Sequence, residues 1–305
     1  MKVLITGGTG LIGSHLAREL EKRNNSVVIA SRSATGEKYI NWDPQDPNSL
    51  KIPRNTNAVV NLAGAPVLGE RWSKKYKQKI KKSRINSTKT LINAVRKYRG
   101  TLDSFVSGSA VGYYGSRGEE KLTEQNDPGD TYLATVAREW ERVIYSFARD
   151  RVFGKQPAIA TIRTGYVLAE DGGILSEMIN PFSFFKPFHW GLGGYLGDGS
   201  HYMPWIHIQD TVRAIIYILD KQLEGPYNLT APNPVRNKKF TDILAEKLNT
   251  KVRMKIPEML LKLIYGEATE VMFSSLRAYP KALRGRGFSF NYTRLEPALE
   301  DLLEV

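Results

Sequence analysis

The sequence predicts an α/β fold in which a doubly wound parallel sheet is followed by a smaller C-terminal lobe. Short runs rich in β-branched residues alternate with helical patterns through the first half of the chain, which is the element order of a parallel sheet with helices on both faces. Hydrophobicity within each run is nearly continuous, as in strands covered on both sides. A glycine-rich turn separates the first run from the first helical pattern.

Five runs in the first half are predicted as strands of this sheet. They are residues 2–6 (KVLIT), 26–31 (SVVIAS), 58–63 (AVVNLA), 104–110 (SFVSGSA) and 158–165 (AIATIRTG). Between the third and fourth runs, apolar residues recur every four positions from Trp72 to Ile80, and the stripe continues to Tyr98. This spacing predicts an amphipathic helix over residues 72–98.

After Gly165 the sequence becomes rich in glycine, proline and aromatic residues, as in a loop-rich lobe that closes over a cleft. We therefore expect a dinucleotide-binding domain at residues 1–165. A smaller substrate or lid lobe is expected at residues 166–305, with some of its segments returning to the core of the first domain. From residue 225 onward we expect one more strand and two or three helices.

Residues 193–207 (GGYLGDGSHYMPWIH) combine flexible glycines with aromatic side chains, which suits a lid that stacks on an aromatic or sugar-like group. Within this stretch, Trp205 is expected to pack in the core of the lobe and His207 to be a buried, hydrogen-bonded histidine. Residues 205–219 predict a short strand and then a helix, with Asp210 as its N-cap.

Composition excludes several classes of protein. The longest apolar runs are strand-length, well short of the roughly 20 residues that a membrane-spanning helix needs, so we predict no membrane segment. The chain enters a strand at Lys2 without the pattern of a signal or transit peptide, so we expect it in the cytoplasm, with an organelle matrix as the alternative. Zero cysteines and four histidines without paired spacing predict no metal site.

The chain is strongly basic, with a formal net charge of +13. Its densest basic stretch is residues 72–84 (WSKKYKQKIKKSR), which coincides with the apolar stripe of the predicted helix. This overlap favours a solvated helix face over a nucleic-acid site, since no recognised nucleic-acid motif accompanies it. The excess charge suits attraction of a phosphorylated ligand.

The residues LITGGTGLIGSHLAREL place Gly7, Gly10 and Gly13 between the first strand and the first helix. In such a turn one glycine permits a tight bend, another lets the backbone approach a pyrophosphate, and the third lets the helix pack against the sheet. The phosphates then lie at a helix N-terminus, where free N–H groups and the dipole favour anions. The context of strand, turn and amphipathic helix predicts a dinucleotide site.

The end of the second strand predicts which dinucleotide binds. An acidic residue there would bond the ribose hydroxyls of NAD, whereas an arginine can pair with the 2'-phosphate of NADP. The chain has Ser31 and Arg32 at this position and no carboxylate before Glu37. NADP is therefore favoured over NAD, with an ordinary surface role for Arg32 as the alternative.

Several motifs together resemble the extended short-chain dehydrogenase/reductases, a superfamily that includes nucleotide-sugar epimerases and dehydratases. They are TGGTGLIG, NLAG (61–64), SGSAVGYYG (107–115) and WIHIQD (205–210). Further stretches resemble the atypical branch known as epimerase family proteins or cell-division-inhibitor homologues. These include NLAGAPV, RTGYVL, GLGGYLGDGSHYMPWIHIQD, TAPNPV and GFSFNY, so that the resemblance runs over essentially the whole chain.

This resemblance implies a Rossmann-type fold and assigns roles by position. The pyrophosphate would be held by Gly7, Gly10, Leu11, Ile12 and Gly13, and the adenosine-ribose phosphate by Ser31 and Arg32. The central ribose would be lined by Leu62, Ala63 and Gly64, and the nicotinamide approached by the backbone around Gly165. Arg84 falls where other extended members have an asparagine, and it could bring a cation and hydrogen-bond donors to the cofactor or the substrate.

Active members of the superfamily use a serine, a tyrosine and a lysine four residues after the tyrosine. The lysine is needed because a phenol has a pKa near 10 and requires a neighbouring cation to ionise near neutral pH. Ser109 and Tyr132 match the first two positions, but Val136 replaces the lysine. Valine can neither bond a ribose nor supply charge.

Four interpretations of Ser109 and Tyr132 follow. Both could be catalytic, with Arg84 in place of the lysine, or Ser109 and bound NADPH could suffice for hydride delivery. Alternatively, both could line a ligand pocket, or both could be structural. We therefore expect an NADP(H)-dependent oxidoreductase or epimerase-like enzyme acting on a small carbonyl or sugar-type substrate, as a monomer or homodimer. The alternative is a catalytically silent NADP(H)-binding sensor or regulatory protein.

Overall fold

A seven-stranded parallel sheet lies at the centre of the protein in a computed structural model, which describes residues 1–33, 35–149, 156–183, 194–250 and 254–303. The strands of all the sheets in the described residues are β1 Lys2–Thr6, β2 Ser26–Ser31, β3 Tyr39–Asn41, β4 Ala58–Asn61, β5 Ser104–Ala110, β6 Lys121–Leu122, β7 Ala158–Thr164, β8 Tyr166–Ala169, β9 Gly194–Leu196, β10 Tyr202–Met203, β11 Trp205–His207, β12 Gly225–Leu229, β13 Val235–Arg236, β14 Met254–Ile256 and β15 Arg277–Ala278. The helices are α1 Leu11–Lys22, α2 Lys74–Lys97, α3 Tyr132–Ala148, α4 Gly173–Ser183, α5 Ile208–Asp220, α6 Asn237–Lys247, α7 Glu258–Tyr265, α8 Thr269–Phe273, α9 Lys281–Gly285 and α10 Leu295–Leu303, with 3-10 turns at Val111–Tyr114 and Gly266–Ala268.

The strand order of the central sheet is β12-β7-β5-β4-β1-β2-β3, and every neighbouring pair is parallel. All five strands predicted in the first half belong to it, which confirms the doubly wound α/β fold; β3 was not predicted. The order reverses between β1 and β4. In open sheets of this kind, ligands bind beyond the carboxyl ends of the strands at such a reversal.

Each face of the sheet has its own hydrophobic core. Val3 and Ile5 of β1 pack with residues of α1 and α5, whereas Leu4 between them packs with residues of α2 and α3 on the other face. All three side chains are fully buried. Coverage on both faces explains why the strands have nearly continuous hydrophobic sequences.

The helix predicted over residues 72–98 is α2, which begins two residues later and ends one residue earlier than predicted. The helix begins after the N-cap Ser73, whose Oγ accepts a hydrogen bond from the N–H of Tyr76 at 3.1 Å. Trp72 precedes the helix, is 6% exposed and donates from Nε1 to the carbonyl oxygen of Val67 at 2.8 Å. No helix in the described part of the chain is long and apolar enough to cross a lipid bilayer.

The later part of the chain contributes to the central layers as well as to smaller sheets. β12 pairs with β7 at the sheet edge, and α5 packs in the same core as α1. Two-stranded sheets join distant segments: β6 with β15, β8 with β11, β9 with β14, and β10 with β13. From residue 225 onward the described residues contain four strands rather than one, and five helices rather than two or three. The difference arises partly because α8 and α9 have five residues each, too few for a periodic pattern. Residues 184–193 of the predicted loop-rich lobe lie outside the described residues.

Asp210 is not the N-cap of α5, contrary to the prediction from sequence. The N-cap is His207, whose Nδ1 accepts from the N–H of Gln209 at 3.1 Å. His207 is fully buried, its ring stacks on Tyr292 at 3.8 Å between centroids, and its burial lowers the pKa of the imidazole despite nearby Asp301. The prediction of a buried, hydrogen-bonded histidine is therefore confirmed.

Trp205, two residues before that N-cap, is also fully buried. Its indole Nε1 donates to the carbonyl oxygen of Asn233 at 3.1 Å. The ring lies in the main hydrophobic core together with residues of α5 and β12. This confirms the expectation that Trp205 packs in the interior.

Asp210 instead attaches the segment before α10 to α5. Its fully buried carboxylate accepts hydrogen bonds from the backbone N–H groups of Asn291 at 3.0 Å and Tyr292 at 2.8 Å. It also forms an ion pair with Arg213 at 2.6 Å. One side chain in the first turn of α5 therefore holds a loop that is distant in sequence.

Replacement of Asp210 by alanine should therefore lower the free energy of unfolding by about 3 kcal/mol, because two backbone N–H groups and a guanidinium lose their acceptor. The matched control is Asp220→Ala at the exposed end of the same helix, expected to change stability by less than about 0.5 kcal/mol. Urea unfolding followed by circular dichroism measures both. Equal effects of the two substitutions would contradict this role for Asp210.

Candidate cofactor and active site

The turn between β1 and α1 packs directly against the end of β4. Gly7 has φ +72°, and a Cβ on it would lie 2.6 Å from the carbonyl carbon and oxygen of Leu62. A Cβ on Gly13 would lie 2.3 Å from the carbonyl oxygen of Gly7. Only glycine fits at these two positions, since the backbones approach too closely for any side chain.

The N-terminus of α1 faces this turn without a side-chain cap. Its N-cap is Gly10, an extended residue with no side-chain hydrogen bond. The first intrahelical acceptor used is the Gly10 carbonyl, which receives the N–H of Ser14 at 2.9 Å. The N–H groups of Leu11 and Ile12 therefore have no acceptor within the helix and can bind an anion. This cradle at the β1–β4 reversal suits a pyrophosphate.

A buried polar network lies beneath the cradle and joins the strands at the reversal. Thr6 Oγ1 of β1 donates to Asn61 Oδ1 of β4 at 2.7 Å. Asn61 Nδ2 donates in turn to Thr88 Oγ1 at 2.8 Å and to Ser107 Oγ at 3.0 Å. The indole Nε1 of Trp140 also donates to Thr88 Oγ1, at 2.8 Å. Side chains of β1, β4, β5, α2 and α3 are thus held in register where the cofactor loops begin.

Arg32 lies at the end of β2, as the prediction of the adenosine-phosphate site requires. Its side chain is exposed and forms no ion pair with any described residue. Ser31 is half-buried, and its Oγ accepts from the N–H of Ser33 at 3.4 Å. An exposed guanidinium without a carboxylate partner is suited to a ribose 2'-phosphate.

Arg84 of α2 lies against the loop after β4. A Cβ on Gly64 would be 3.2 Å from its Cζ, and its Nη1 donates to the carbonyl oxygen of Ile80 at 3.0 Å. Burial lowers the pKa of Arg84 to about 10, partly offset by Tyr132 and Tyr76. No carboxylate among the described residues pairs with this guanidinium. The structure therefore places an uncompensated cation beside the predicted ribose wall.

Tyr132 is the first residue of α3, and Val136 lies one turn later and is 2% exposed. The Tyr132 hydroxyl donates to the backbone carbonyl oxygen of Lys77, and its ring meets Trp72 edge-on at 5.3 Å. Burial raises the pKa of Tyr132, and the charge of Arg84 acts in the opposite direction. Arg84 is therefore close enough to influence the phenol, although it does not bond to it.

Ser109 lies near the end of β5 and is 7% exposed. Its Oγ donates to Glu141 Oε1 at 2.7 Å. The Glu141 carboxylate accepts two further hydrogen bonds from Arg163, from Nε and from Nη2, both at 2.8 Å. Ser109 and Tyr132 therefore belong to two separate hydrogen-bonding networks, and they share no partner. The proposed catalytic pair is not assembled in this conformation.

Glu141 and Arg163 were not predicted as site residues. They are 4% and 3% exposed, so both charges are buried. Arg163 Nη1 also donates to the Tyr114 hydroxyl at 3.0 Å, and its guanidinium lies 3.5 Å above the ring of Tyr113. Burial lowers the pKa of Arg163, but the hydrogen bonds and charge of Glu141 have the larger effect and raise the pKa overall. An arginine within the apolar run AIATIRTG was the available signal, because a buried charge requires a buried partner.

Gly165 has a packing requirement of its own. A Cβ there would lie 2.0 Å from the carbonyl oxygen of Pro204, and its N–H donates to the carbonyl oxygen of Leu229 at 3.0 Å. The glycine thus lets β7 end against the segment before β11. Groups of three or more acidic or histidine side chains able to hold a metal ion are not found within the described ranges.

Two family models match the chain. The model of the NAD dependent epimerase/dehydratase family matches residues 3–230. A domain of unknown function matches residues 256–302. An epimerase family protein of Staphylococcus haemolyticus is 36% identical over 310 residues, with 99% of each chain covered.

Two solved structures of epimerase family members are similar to this chain over nearly its whole length. A human epimerase family protein crystallised with NADPH has a TM-score of 0.89 and 28% identity, covering 100% of this chain and 99% of that one. A nucleoside-diphosphate sugar epimerase from Corynebacterium glutamicum has a TM-score of 0.78 and 32% identity, covering 99% of this chain and 58% of that one.

The buried ion pair supplies a test of the site architecture. Glu141→Gln should lower the free energy of unfolding by about 3 to 5 kcal/mol, because it leaves the Arg163 guanidinium buried and unpaired. Glu139→Gln, on the same helix, removes a half-exposed pair with Lys81 and should cost at most about 1 kcal/mol. Urea unfolding compares the two variants. A loss for Glu141→Gln no larger than that for Glu139→Gln would contradict the buried-pair interpretation.

Proposed function

Because the chain belongs to the NAD-dependent epimerase/dehydratase family, as an atypical extended short-chain dehydrogenase/reductase, we propose that it is an NADP(H)-dependent oxidoreductase or epimerase-like enzyme. Its substrate would be a small carbonyl or sugar-type compound. The observation that carries this proposal is the uncompensated guanidinium of Arg84, which lies between the predicted cofactor wall at Gly64 and the phenol of Tyr132.

The residues present fit a nicotinamide dinucleotide. The uncapped N-terminus of α1 offers the N–H groups of Leu11 and Ile12 to the pyrophosphate, and the missing side chains of Gly7 and Gly13 let the turn pack tightly against the end of β4 and the start of α1 beside it. Arg32 would pair with a 2'-phosphate, which favours NADP over NAD. The NADPH in the human relative supports the same preference. When bound, the nicotinamide supplies or accepts the hydride.

In this proposal Arg84 takes over the electrostatic part of the missing lysine's role. A guanidinium stays protonated and does not readily shuttle protons, so its contribution is a fixed positive charge and hydrogen-bond donors for a developing oxyanion. Proton transfer is assigned to Tyr132. For that step its hydroxyl must leave the Lys77 carbonyl oxygen and turn to the substrate oxygen, and Ser109 must similarly leave Glu141 to polarise that oxygen.

A second candidate function is a catalytically silent NADP(H)-binding sensor. The observation that favours it is the engagement of both hydroxyls with internal acceptors, together with the buried Val136 in place of the lysine. In that case the cofactor cradle is retained while Ser109 and Tyr132 serve structural roles.

Purified protein mixed with NADPH and a panel of quinones, aldehydes and nucleotide sugars discriminates the two candidates. Oxidation of NADPH that is lost in Tyr132→Phe and Ser109→Ala supports the enzyme. Tight NADPH binding without turnover on any compound supports the sensor. Absence of heat from both NADPH and NADH in calorimetry would remove both candidates.

Arg32→Ala should weaken NADPH binding about tenfold or more and leave NADH binding nearly unchanged, because only NADPH carries the 2'-phosphate that the guanidinium pairs with. Arg54→Ala, which removes another exposed arginine without an ion pair among the described residues, is the control and should preserve both affinities. Isothermal titration calorimetry measures all four dissociation constants. Parallel weakening of NADPH and NADH by Arg32→Ala would argue against this assignment.

Arg84→Gln should lower kcat by about 100-fold, since one oxyanion-stabilising group typically contributes this much. Arg84→Lys keeps the charge and should retain more of the activity. Thermal unfolding serves as the control. Arg84 has no carboxylate partner among the described residues to leave unpaired, so the melting temperature should change little in either variant. Full turnover in Arg84→Gln would exclude Arg84 as the replacement for the lysine.

A further inference from the structure

A second concave site lies apart from the cofactor cradle. It is a groove of about 890 Å³ formed by β6, β10, the loop after β12, β15, α9 and residues 287–293. Its walls include Pro232, Pro234 and Gly287. None of the predicted cofactor or catalytic residues lines it. We call it the basic groove.

Three cations of the basic groove have no carboxylate partner among the described residues. They are Lys121, Arg277 and Arg284, and no aspartate or glutamate lines the groove. Arg236, at its margin, differs because it pairs with Glu119 at 2.8 Å. Fixed positive charge without a counter-charge, in a concave surface, attracts anions.

The backbone places two of these cations as direct neighbours. Arg277 of β15 and Lys121 of β6 are register partners in a parallel pair. Side chains of register partners project from the same face of a two-stranded sheet, so Lys121 and Arg277 belong to one surface of the groove.

Two tyrosine rings hold the cations of the groove in place. Lys121 Nζ lies 3.8 Å and Arg284 Cζ lies 5.5 Å from the ring centroid of Tyr279. On the ring of Tyr202, Arg277 Cζ lies at 5.2 Å. Cation–π attraction of this kind orients a cation. Arg277 Nη1 also donates to the carbonyl oxygen of Glu119 at 3.3 Å and Arg284 Nη1 to the Tyr279 hydroxyl, and their other N–H groups can donate to a ligand. The charged groups are therefore pre-positioned rather than freely mobile on the surface.

We propose that the basic groove binds a small organic polyphosphate. Arginine forks match phosphate oxygens in geometry, and a cluster of three cations matches an anion with several charges. The volume lies within the range of roughly 300 to 1,000 Å³ that is usual for small-molecule sites. A nucleic-acid strand would need a longer basic track, and the lysine-rich helix α2 contributes no residue to the groove.

The test uses inorganic tripolyphosphate as the probe, added to the full chain without NADPH, which is itself an organic polyphosphate. The groove variants separate binding in the groove from binding at the α1 N-terminus. We expect saturable binding in calorimetry and a rise in melting temperature, since a ligand that binds only the folded state stabilises it. The double variant Lys121→Gln/Arg277→Gln should weaken the affinity at least about tenfold and abolish the thermal shift.

The matched control removes the same charge elsewhere. Lys89→Gln/Arg54→Gln replaces two exposed cations without ion pairs among the described residues, and it should bind tripolyphosphate like the unmodified chain. If both double variants lost affinity equally, the binding would be diffuse attraction to a basic protein and the proposal would be overturned. If the groove variant did not fold, Arg284→Gln alone would take its place, because that side chain is exposed on α9.

Three other outcomes also overturn the proposal. One is the absence of tripolyphosphate binding to the unmodified chain. Another is equal affinity for citrate, which would mean that the groove selects charge rather than phosphate. The third is tighter binding of a single-stranded oligonucleotide at the same residues, which would assign the groove to nucleic acid. Each of these experiments measures binding directly, so its result can be interpreted whether or not the protein turns over a substrate.

Discussion

The buried ion pair between Glu141 and Arg163 ties α3 to the central sheet. Burying two charges costs free energy unless each is paired and its remaining groups are hydrogen-bonded. Here Ser109 satisfies the carboxylate, and the Tyr114 hydroxyl accepts from the guanidinium. Tyr114 in turn donates to Asn228 Oδ1 of β12 at 2.7 Å, and burial raises the pKa of the phenol to about 12, so that it remains a donor at any physiological pH. The network thus runs from α3 through β5 and β7 to β12, and it adds a side-chain link to the backbone pairing of β12 with β7.

The fold was largely predictable because its signals are local. Each of the five predicted strands has a hydrophobic run of its own, and the turn before α1 has glycines at the two positions where a Cβ would collide with backbone. The errors arose where the determining contact is distant in sequence. Asp210 looks like an N-cap because it is acidic and begins a helical pattern, but its acceptor role depends on the backbone of residues 291–292. Strand β3 has only three residues and was missed because so short a run has no readable period.

The candidate site likewise has features that local sequence could predict and features that depend on contacts between distant elements. The predictions for the glycines and Arg32 rest on the order of strand, turn and helix, which is local in the sequence. The partners of Ser109, Tyr132 and Arg84 could not be predicted, because they come from other elements. Ser109 bonds a residue of α3, Tyr132 bonds a backbone carbonyl within α2, and Arg84 approaches the loop after β4. Only packing reveals that Arg84 lies without a carboxylate, while Val136, the more conspicuous departure from the superfamily pattern, is simply a buried core residue.

The positive charges behind the net charge of +13 divide into cations that pair with carboxylates and cations that do not. On α2 the lysines at 77, 79 and 81 each pair with a glutamate, at 267, 70 and 139 respectively, as expected for a solvated helix face. Other cations have no ion pair among the described residues. Some of them, such as Lys89 on the same helix and Arg32 after β2, are exposed, whereas Arg84 beside the predicted cofactor wall and the cluster of the basic groove lie in concave positions. A chain selected only for solubility gains nothing by leaving a partly buried guanidinium unpaired, since desolvation penalises it. An anion can complete an unpaired cation in a concave position, and the same physical reasoning therefore connects the predicted cofactor site with the basic groove.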